Sequence, residues 1–183
     1  MKNLIIILIT LFFFNSNIGA QTTVKYGADK AKSYVTYAMS HPMHDWEATS
    51  KNVLSVLIYN TEAKKIIKVA VSIPVSTFDS QNANRDSHMI EVLEGLKFQA
   101  VTFTSTSITG DDAKLSITGN LVFHDVSKTI TFEASSKTTD TSIEVTGAFN
   151  VKISDFKIEN PSLMGIPTND NIALKFFAVY NPK

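Results

Sequence analysis

KLSITGNLVF, residues Lys114–Phe123, alternates. Leu115, Ile117, Gly119, Leu121 and Phe123 fall on one side of an extended chain; Lys114, Ser116, Thr118 and Asn120 fall on the other, with Val122 the exception. A period of two with one apolar face is the signature of a half-buried β-strand. The pattern recurs on both sides of this stretch. Thr129–Ser136 sets Ile130, Phe132 and Ala134 against Thr131, Glu133 and Ser135. Ser142–Ile153 sets Ile143, Val145, Gly147, Phe149, Val151 and Ile153 against Glu144, Thr146, Asn150 and Lys152. Ala100–Ile108 sets Val101 and Phe103 against Thr102, Thr104 and Thr106, and threonine suits a solvated sheet face.

Further strands are expected at Ser33–Ser40, Trp46–Tyr59, Lys65–Val75 and Ile172–Tyr180. Gly110-Asp111-Asp112, Thr138-Thr139-Asp140 and the shorter His124-Asp125-Val126-Ser127 supply the turns. About eight strands with short links predict an all-β antiparallel meander. Closure into an eight-stranded barrel removes the edges that would otherwise pair with neighbours. At that strand number the interior is either filled or holds one small ligand. The inward stripe mixes Phe103, Phe123, Phe132 and Phe149 with Gly119, Gly147 and Ala134. Two readings stay open: large residues close-packed against small ones, or small positions that leave an elongated apolar slot.

One stretch breaks the alternation: STFDSQNANRDSHMIEVL, Ser76–Leu93. Met89, Val92, Leu93 and Leu96 recur at helical spacing, so a helix is expected over Ser87–Leu96, with Asp86 or Ser87 as N-cap and Asn82 and Asn84 in the turn before it. Gly95 warns of an early end. Arg85 and His88 can be read as polar donors at a barrel mouth, holding a head group while a tail lies in the slot. They can equally belong to a capped helix start, with an Arg85–Asp86 pair locking the loop. Trp46, the single tryptophan, either plugs a barrel end or lines the entrance. His41-Pro42-Met43-His44 reads as a kinked crossing between strands.

The chain opens with Lys2, an apolar run from Leu4 to Phe14 and the small-residue end Ile18-Gly19-Ala20. That is the form of a secretory signal cut after Ala20, which places the protein in the periplasm or outside the cell. Removing twenty residues from 183 leaves 163, expected to form one domain over residues 21–183. The remaining chain carries a formal charge of about −1, with no basic face for a nucleic acid. No stretch after the leader is apolar and long enough for membrane insertion. The absence of cysteine excludes thiolate nucleophiles, thiolate zinc sites, Fe–S clusters and disulfides. No serine sits in a Gly-flanked nucleophile elbow, and carboxylates paired at a recognisable catalytic spacing are absent, so no catalytic residue is expected. Apolar end residues such as Phe98 and Leu163 leave a homodimer open.

Three stretches together resemble a known family. Asp79–Met89, DSQNANRDSHM, is similar to the D-T-x-N-x-x-R-D-x-H-L signature of the YceI-like proteins. Val101–Thr106, VTFTST, resembles their I-x-F-x-S-T strand, and Ile117–Lys128, ITGNLVFHDVSK, their V-T-G-x-L-T-x-H-G-V-T-K segment. Tyr34-Val35-Thr36-Tyr37 with the following His41 resembles the family's V-x-F-x-V-x-H opening, so the likeness spans about Ser33 to Tyr180. It implies an extended, lipocalin-like eight-stranded barrel with a short helix at the mouth, an exported protein, and a long-chain isoprenoid lipid or isoprenoid quinone held inside. No cofactor beyond such a lipid and no metal site come with it. Transport, storage or a stress response are the implied roles. The expected ligand contacts are Phe103, Phe123, Phe132, Phe149, Trp46 and Met89 for the tail and Arg85 and His88 for the head. Three positions depart from the family pattern. Asp125 stands where it has glycine after the histidine. Gly95-Leu96-Lys97-Phe98 replaces an F-F-D-x-x-x-Y-P run. Lys152–Lys157, KISDFK, lacks both the arginine and the glycine of R-x-D-F-G.

Overall fold

A computed structural model describes residues 22–183; the expected leader, residues 1–20, and its cleavage point lie outside them. Twelve strands are present: β1 Thr23–Ala28, β2 Tyr34–His41, β3 His44–Ser50, β4 Leu54–Asn60, β5 Lys65–Pro74, β6 Ala100–Asp111, β7 Lys114–Phe123, β8 Val126–Thr138, β9 Ile143–Lys152, β10 Ser162–Leu163, β11 Ile166–Pro167 and β12 Asn171–Pro182. Among the described residues there is one α-helix, α1 at Ala83–Val92, between β5 and β6.

All main-sheet pairings are antiparallel, in the order β1-β4-β5-β6-β7-β8-β9-β12-β2-β3, and β1 also pairs with β12. That last pairing closes the sheet into the expected eight-stranded barrel. β1 and β2 are two halves of one long wall strand, since both lie antiparallel along the same edge of β12. The break between them is stitched by Ser33: Val179 N donates to Ser33 Oγ at 3.1 Å, and Asp29 N donates to Val179 O at 2.7 Å. β3 and β4 form the next wall strand in the same way, pairing with β2 and β1 respectively.

Two expectations need correction. The strand expected over Trp46–Tyr59 is interrupted at Lys51-Asn52-Val53. There Asn52 N turns aside to Ser50 Oγ at 3.2 Å, and Val53 folds into the interior. The helix starts four residues earlier than expected. Asn82, not Asp86 or Ser87, is the N-cap; its side chain accepts from Asn84 N and Arg85 N at 3.1 and 3.2 Å. Asp86 is committed elsewhere, accepting from Ser80 N at 3.1 Å, so no Arg85–Asp86 pair locks the loop. The HPMH stretch is a tight hairpin turn, with His41 paired to His44 across β2 and β3.

The alternating stripes point inward as read. Leu115, Ile117 and Leu121 of β7 and Ile143, Val145 and Val151 of β9 are buried in the core, as are Ala134 and Phe103. Each such burial contributes about 1.5–3 kcal/mol for a large aliphatic or aromatic side chain. With no disulfide available, this core and the sheet hydrogen bonds hold the fold.

The two inward glycines do not leave open space. A Cβ on Gly119 would lie 2.5 Å from the Phe103 ring, and one on Gly147 would lie 2.7 Å from the Phe176 ring. Each glycine therefore lets the tip of a phenylalanine ring reach the backbone. Phe98 is not an exposed end residue: it packs edge-on against His124 with centroids 4.3 Å apart. The side chain of Leu163 lies outside the described residues.

Candidate functional site: an apolar cavity along the barrel

An internal cavity of about 240 Å³ runs from α1 down the barrel. At the helix end its walls include Trp46, Phe78, Arg85, His88 and Met89; deeper, they include Phe103, Ile117, Phe132, Phe149 and Tyr180. The lining is aliphatic and aromatic along almost its whole length, and its charged or ionisable groups other than tyrosine, Arg85 and His88, both sit at the helix end. All eight residues singled out from the sequence line this one cavity: Trp46, Arg85, His88, Met89, Phe103, Phe123, Phe132 and Phe149. A slot is therefore present, but the glycines do not supply its room, because phenylalanine rings occupy the space over them.

The mouth is built by α1. Arg85, His88, Met89 and Val92 face the cavity at spacings of three and four, one stripe of the helix. None of the ten helix residues is fully buried, so the helix covers the opening without being locked into the core. It is moored at its start, where Thr49 of β3 and Asp79 exchange backbone hydrogen bonds of 3.0 and 3.1 Å. This mooring takes up the edge of β3 that has no strand partner.

Trp46 stands at the entrance and does not plug an end. It is half-buried, with the His44 ring tilted against its indole at 5.4 Å and the Arg85 guanidinium 5.6 Å from its ring centre. A guanidinium over an indole at that range is a cation–π contact, and it aims Arg85 across the mouth. His88 is 60% exposed and lies 3.7 Å from Glu91, a weak solvent-facing contact. Below Arg85, the Tyr37 hydroxyl donates to the Met89 sulfur at 3.3 Å, and its ring meets Phe78 edge-on at 5.3 Å. Burial pushes the Tyr37 phenol above its ordinary value; the Trp46 indole opposes that, Asp86 adds to it and Arg85 opposes it. Tyr37 thus stays a neutral donor at the top of the apolar channel.

Deeper down, Phe132 forms an aromatic hub. Its ring lies 5.4 Å from Phe103, 4.5 Å from Phe149 and 6.0 Å from Phe176. Phe123 packs instead on Phe156, the buried end of a short 3-10 turn at Ser154–Phe156. Phe176 and Tyr37 were not singled out from the sequence. The alternation of β12 and β2 held the signal, but only the contacts with Phe132 and Gly147 show what Phe176 does.

The histidines do not form a site. His41 is buried, with Met43 N donating to its Nδ1 at 3.2 Å and its Nε2 3.0 Å from Ile166 O. Because Nδ1 accepts, Nε2 carries the proton and donates. Among the described residues no three metal-ligating side chains converge.

The sequence pattern of the YceI-like domain matches residues 26–180. Protein YceI of Salmonella newport (strain SL254) is 29% identical over 136 residues, covering 73% of this chain and 71% of that protein. Among solved structures, BcnA of Burkholderia cenocepacia superposes with a TM-score of 0.74 at 19% identity, over 83% of this chain and 98% of that one. A polyisoprenoid binding domain from Saccharophagus degradans superposes at 0.69 with 15% identity, over 87% and 99%. The Campylobacter jejuni YCEI protein gives 0.63 at 23%, over 73% and 82%. These structural likenesses establish the shared barrel. With the family pattern covering nearly all the described residues, the chain belongs to the YceI-like domain family.

Proposed function

We propose that this protein is an exported lipid carrier that holds a long-chain isoprenoid, such as a polyprenol or an isoprenoid quinone, inside the barrel. The observation that carries the reading is the cavity itself: long, apolar, and with its charged or titratable groups other than tyrosine, Arg85 and His88, only at the mouth. A linear hydrocarbon tail fits that distribution, because the deep walls are almost wholly aliphatic and aromatic and the buried Tyr180 hydroxyl is already bonded to Ser55. Arg85 and His88 are the donors available to a head group at the helix end, since the Tyr37 hydroxyl gives its proton to Met89. The family and the polyisoprenoid binding domain of S. degradans support the ligand class. The volume is below the roughly 300–1,000 Å³ usual for small-molecule sites, so loading involves displacement of side chains at the half-buried aromatic hub. The carrier has no chemistry of its own: the ligand is held and released unchanged.

The test is mass spectrometry of the protein expressed with its own leader, under gentle native conditions and after solvent extraction. A bound mass recovered in the extract as an isoprenoid supports the carrier. A protein that remains empty after incubation with isoprenoid alcohols and quinones overturns it in favour of a ligand-free interaction module.

A further inference from the structure

Seven large apolar side chains are exposed among the described residues, and they fall into two groups. Tyr34, Leu54 and Ile67 lie on wall strands and are 39–43% exposed. Leu96, Met164 and Met43 are 90%, 83% and 59% exposed, the three highest values, and Ile166 adds 42%. All four of the second group lie at the end of the barrel that α1 covers. Met43 is in the β2–β3 turn, Leu96 follows α1, and Met164 and Ile166 belong to the β10–β11 hairpin. The hydrogen-bond pattern holds these loops in a ring around the opening. His41 Nε2 meets Ile166 O, and Asn169 N donates to Ser40 O at 2.9 Å, joining the hairpin to the β2–β3 turn. His124 Nε2 meets Glu94 at 3.0 Å, with Phe98 on the His124 ring, fixing the Leu96 loop to the β7–β8 turn.

We infer that this ring of apolar tips is a docking face for a lipid bilayer. It sets the barrel mouth on the membrane so that the isoprenoid passes between bilayer and cavity without crossing water. The inference rests on the carrier reading for the purpose of docking, though not for the docking itself. Exposed apolar side chains scattered over a surface mean little, but the most exposed ones gathered around the opening of an apolar cavity mark an interaction site. A bilayer is the partner that fits. The tips are separate side chains on three loops, not one flat patch of the kind a protein interface buries. A water-insoluble tail also has to enter through this rim. Carboxylates outnumber lysine and arginine over α1, the loop after it, the β7–β8 turn and residues 154–159, with Asp86, Glu91, Glu94, Asp125, Asp155 and Glu159 against Arg85, Lys97 and Lys157, so attraction to anionic lipid does not supply the binding. Docking is therefore apolar, and it works on neutral membranes and in salt.

The test is flotation of the purified protein with phosphatidylcholine vesicles, with phosphatidylcholine–phosphatidylglycerol vesicles, and at low and high salt. Leu96→Asp/Met164→Asp is compared with wild type, and binding of free farnesol is measured in parallel without vesicles. Wild type is expected to float with both vesicle types, no less in high salt. The double variant is expected to lose about tenfold or more of the vesicle-bound fraction while binding farnesol normally. Leu96→Ser/Met164→Ser guards against misfolding and is expected to lose less. Wild type that stays in the aqueous fraction, floats only with phosphatidylglycerol at low salt, or floats no better than both variants overturns the inference. Farnesol binding that fails in every variant, with flotation intact, overturns the carrier reading and leaves the docking face standing.

Discussion

Phe132 and Phe149 stack with centroids 4.5 Å apart and planes 18° from parallel, just past the last pair that joins β8 to β9. The ladder between those strands ends at Ala134 and Gly147. Beyond it, β8 continues with β7 alone and β9 with β12 alone. Two rings therefore bridge the wall where backbone hydrogen bonds stop, and they line the cavity at the same time.

Phe149→Ala should open this seam. Both rings are half-buried, so the loss is expected at about 1–3 kcal/mol, below that of a fully buried phenylalanine. The same variant should admit bulkier apolar ligands than wild type does. Thermal unfolding gives the first quantity and competition between linear and branched isoprenoids the second. An unchanged melting temperature would show that the stack is incidental.

Gly119→Ala should destabilise the barrel by about 1–3 kcal/mol through overpacking. The new Cβ would meet the Phe103 ring and the Thr104 carbonyl oxygen, each at 2.5 Å. The ring can tilt, but the carbonyl belongs to the β6–β7 ladder and cannot move without breaking it. Denaturant titration reads the change. A companion Phe103→Leu should recover part of it.

Asp125 and Lys157 hold φ of +60° and +58°, the left-handed region where glycine fits at least cost. Both replace a glycine of the YceI-like motifs. His124 and Asp125 together form the two-residue turn of the β7–β8 hairpin, which favours positive φ at both positions. Asp125→Gly and Lys157→Gly are each expected to stabilise by about 0.5–1 kcal/mol. A fall in melting temperature for either would show that its side chain makes a compensating contact.

Stability should decline above pH 10. Burial raises the Tyr180 phenol above its ordinary value of 10.0, and its hydrogen bond to Ser55, 2.8 Å long, opposes the rise. The folded state then keeps a proton that the unfolded chain loses. This contribution is complete below pH 10 and disappears as pH climbs toward the folded value. Tyr37 acts in the same direction. Tyr180→Phe should flatten the alkaline limb of a melting-temperature profile at a neutral-pH cost of about 0.5–1.5 kcal/mol. Ser55 Oγ keeps Ala70 O as its acceptor, so no new unsatisfied group appears.

Arg85→Gln should separate the two parts of the ligand. A charge-assisted contact from Arg85 to a phosphate head is lost, while the Trp46 face and the channel remain. Affinity for an isoprenyl phosphate is expected to drop about tenfold, and affinity for the matching alcohol to stay within about twofold. Isothermal titration of both ligands decides it. Equal losses would place Arg85 in the support of Trp46 and not at the head group.

Much of the barrel was legible because its strands obey a period of two, and Leu115, Ile117 and Leu121 had nowhere to go but inward. The expected phenylalanines reach the cavity for the same reason. What escaped was local competition between groups of equal chemistry. Asn82, Asp86 and Ser87 are all good caps, and the apolar periodicity begins only at Met89, so the helix start was placed too late. Lys51-Asn52-Val53 contains neither glycine nor proline, so nothing in the letters announced the break between β3 and β4. β1 is six residues long and lies close to the expected leader; its place in the barrel shows only in its pairings with β4 and β12. The roles of Gly119 and Gly147 depended on which rings crossed them, and that is set by register.

β12 pairs with β9 along one edge and with β2 and then β1 along the other. A nascent chain therefore cannot complete its ring until this strand has been made. Until then, the open edges of β9 and of β1–β2 can recruit a strand from another molecule. Closure joins the most distant parts of the described chain, the kind of contact that makes folding slow. The protein consequently passes its most aggregation-prone moments just before it is finished. A chaperone that shields strand edges would have its largest effect there.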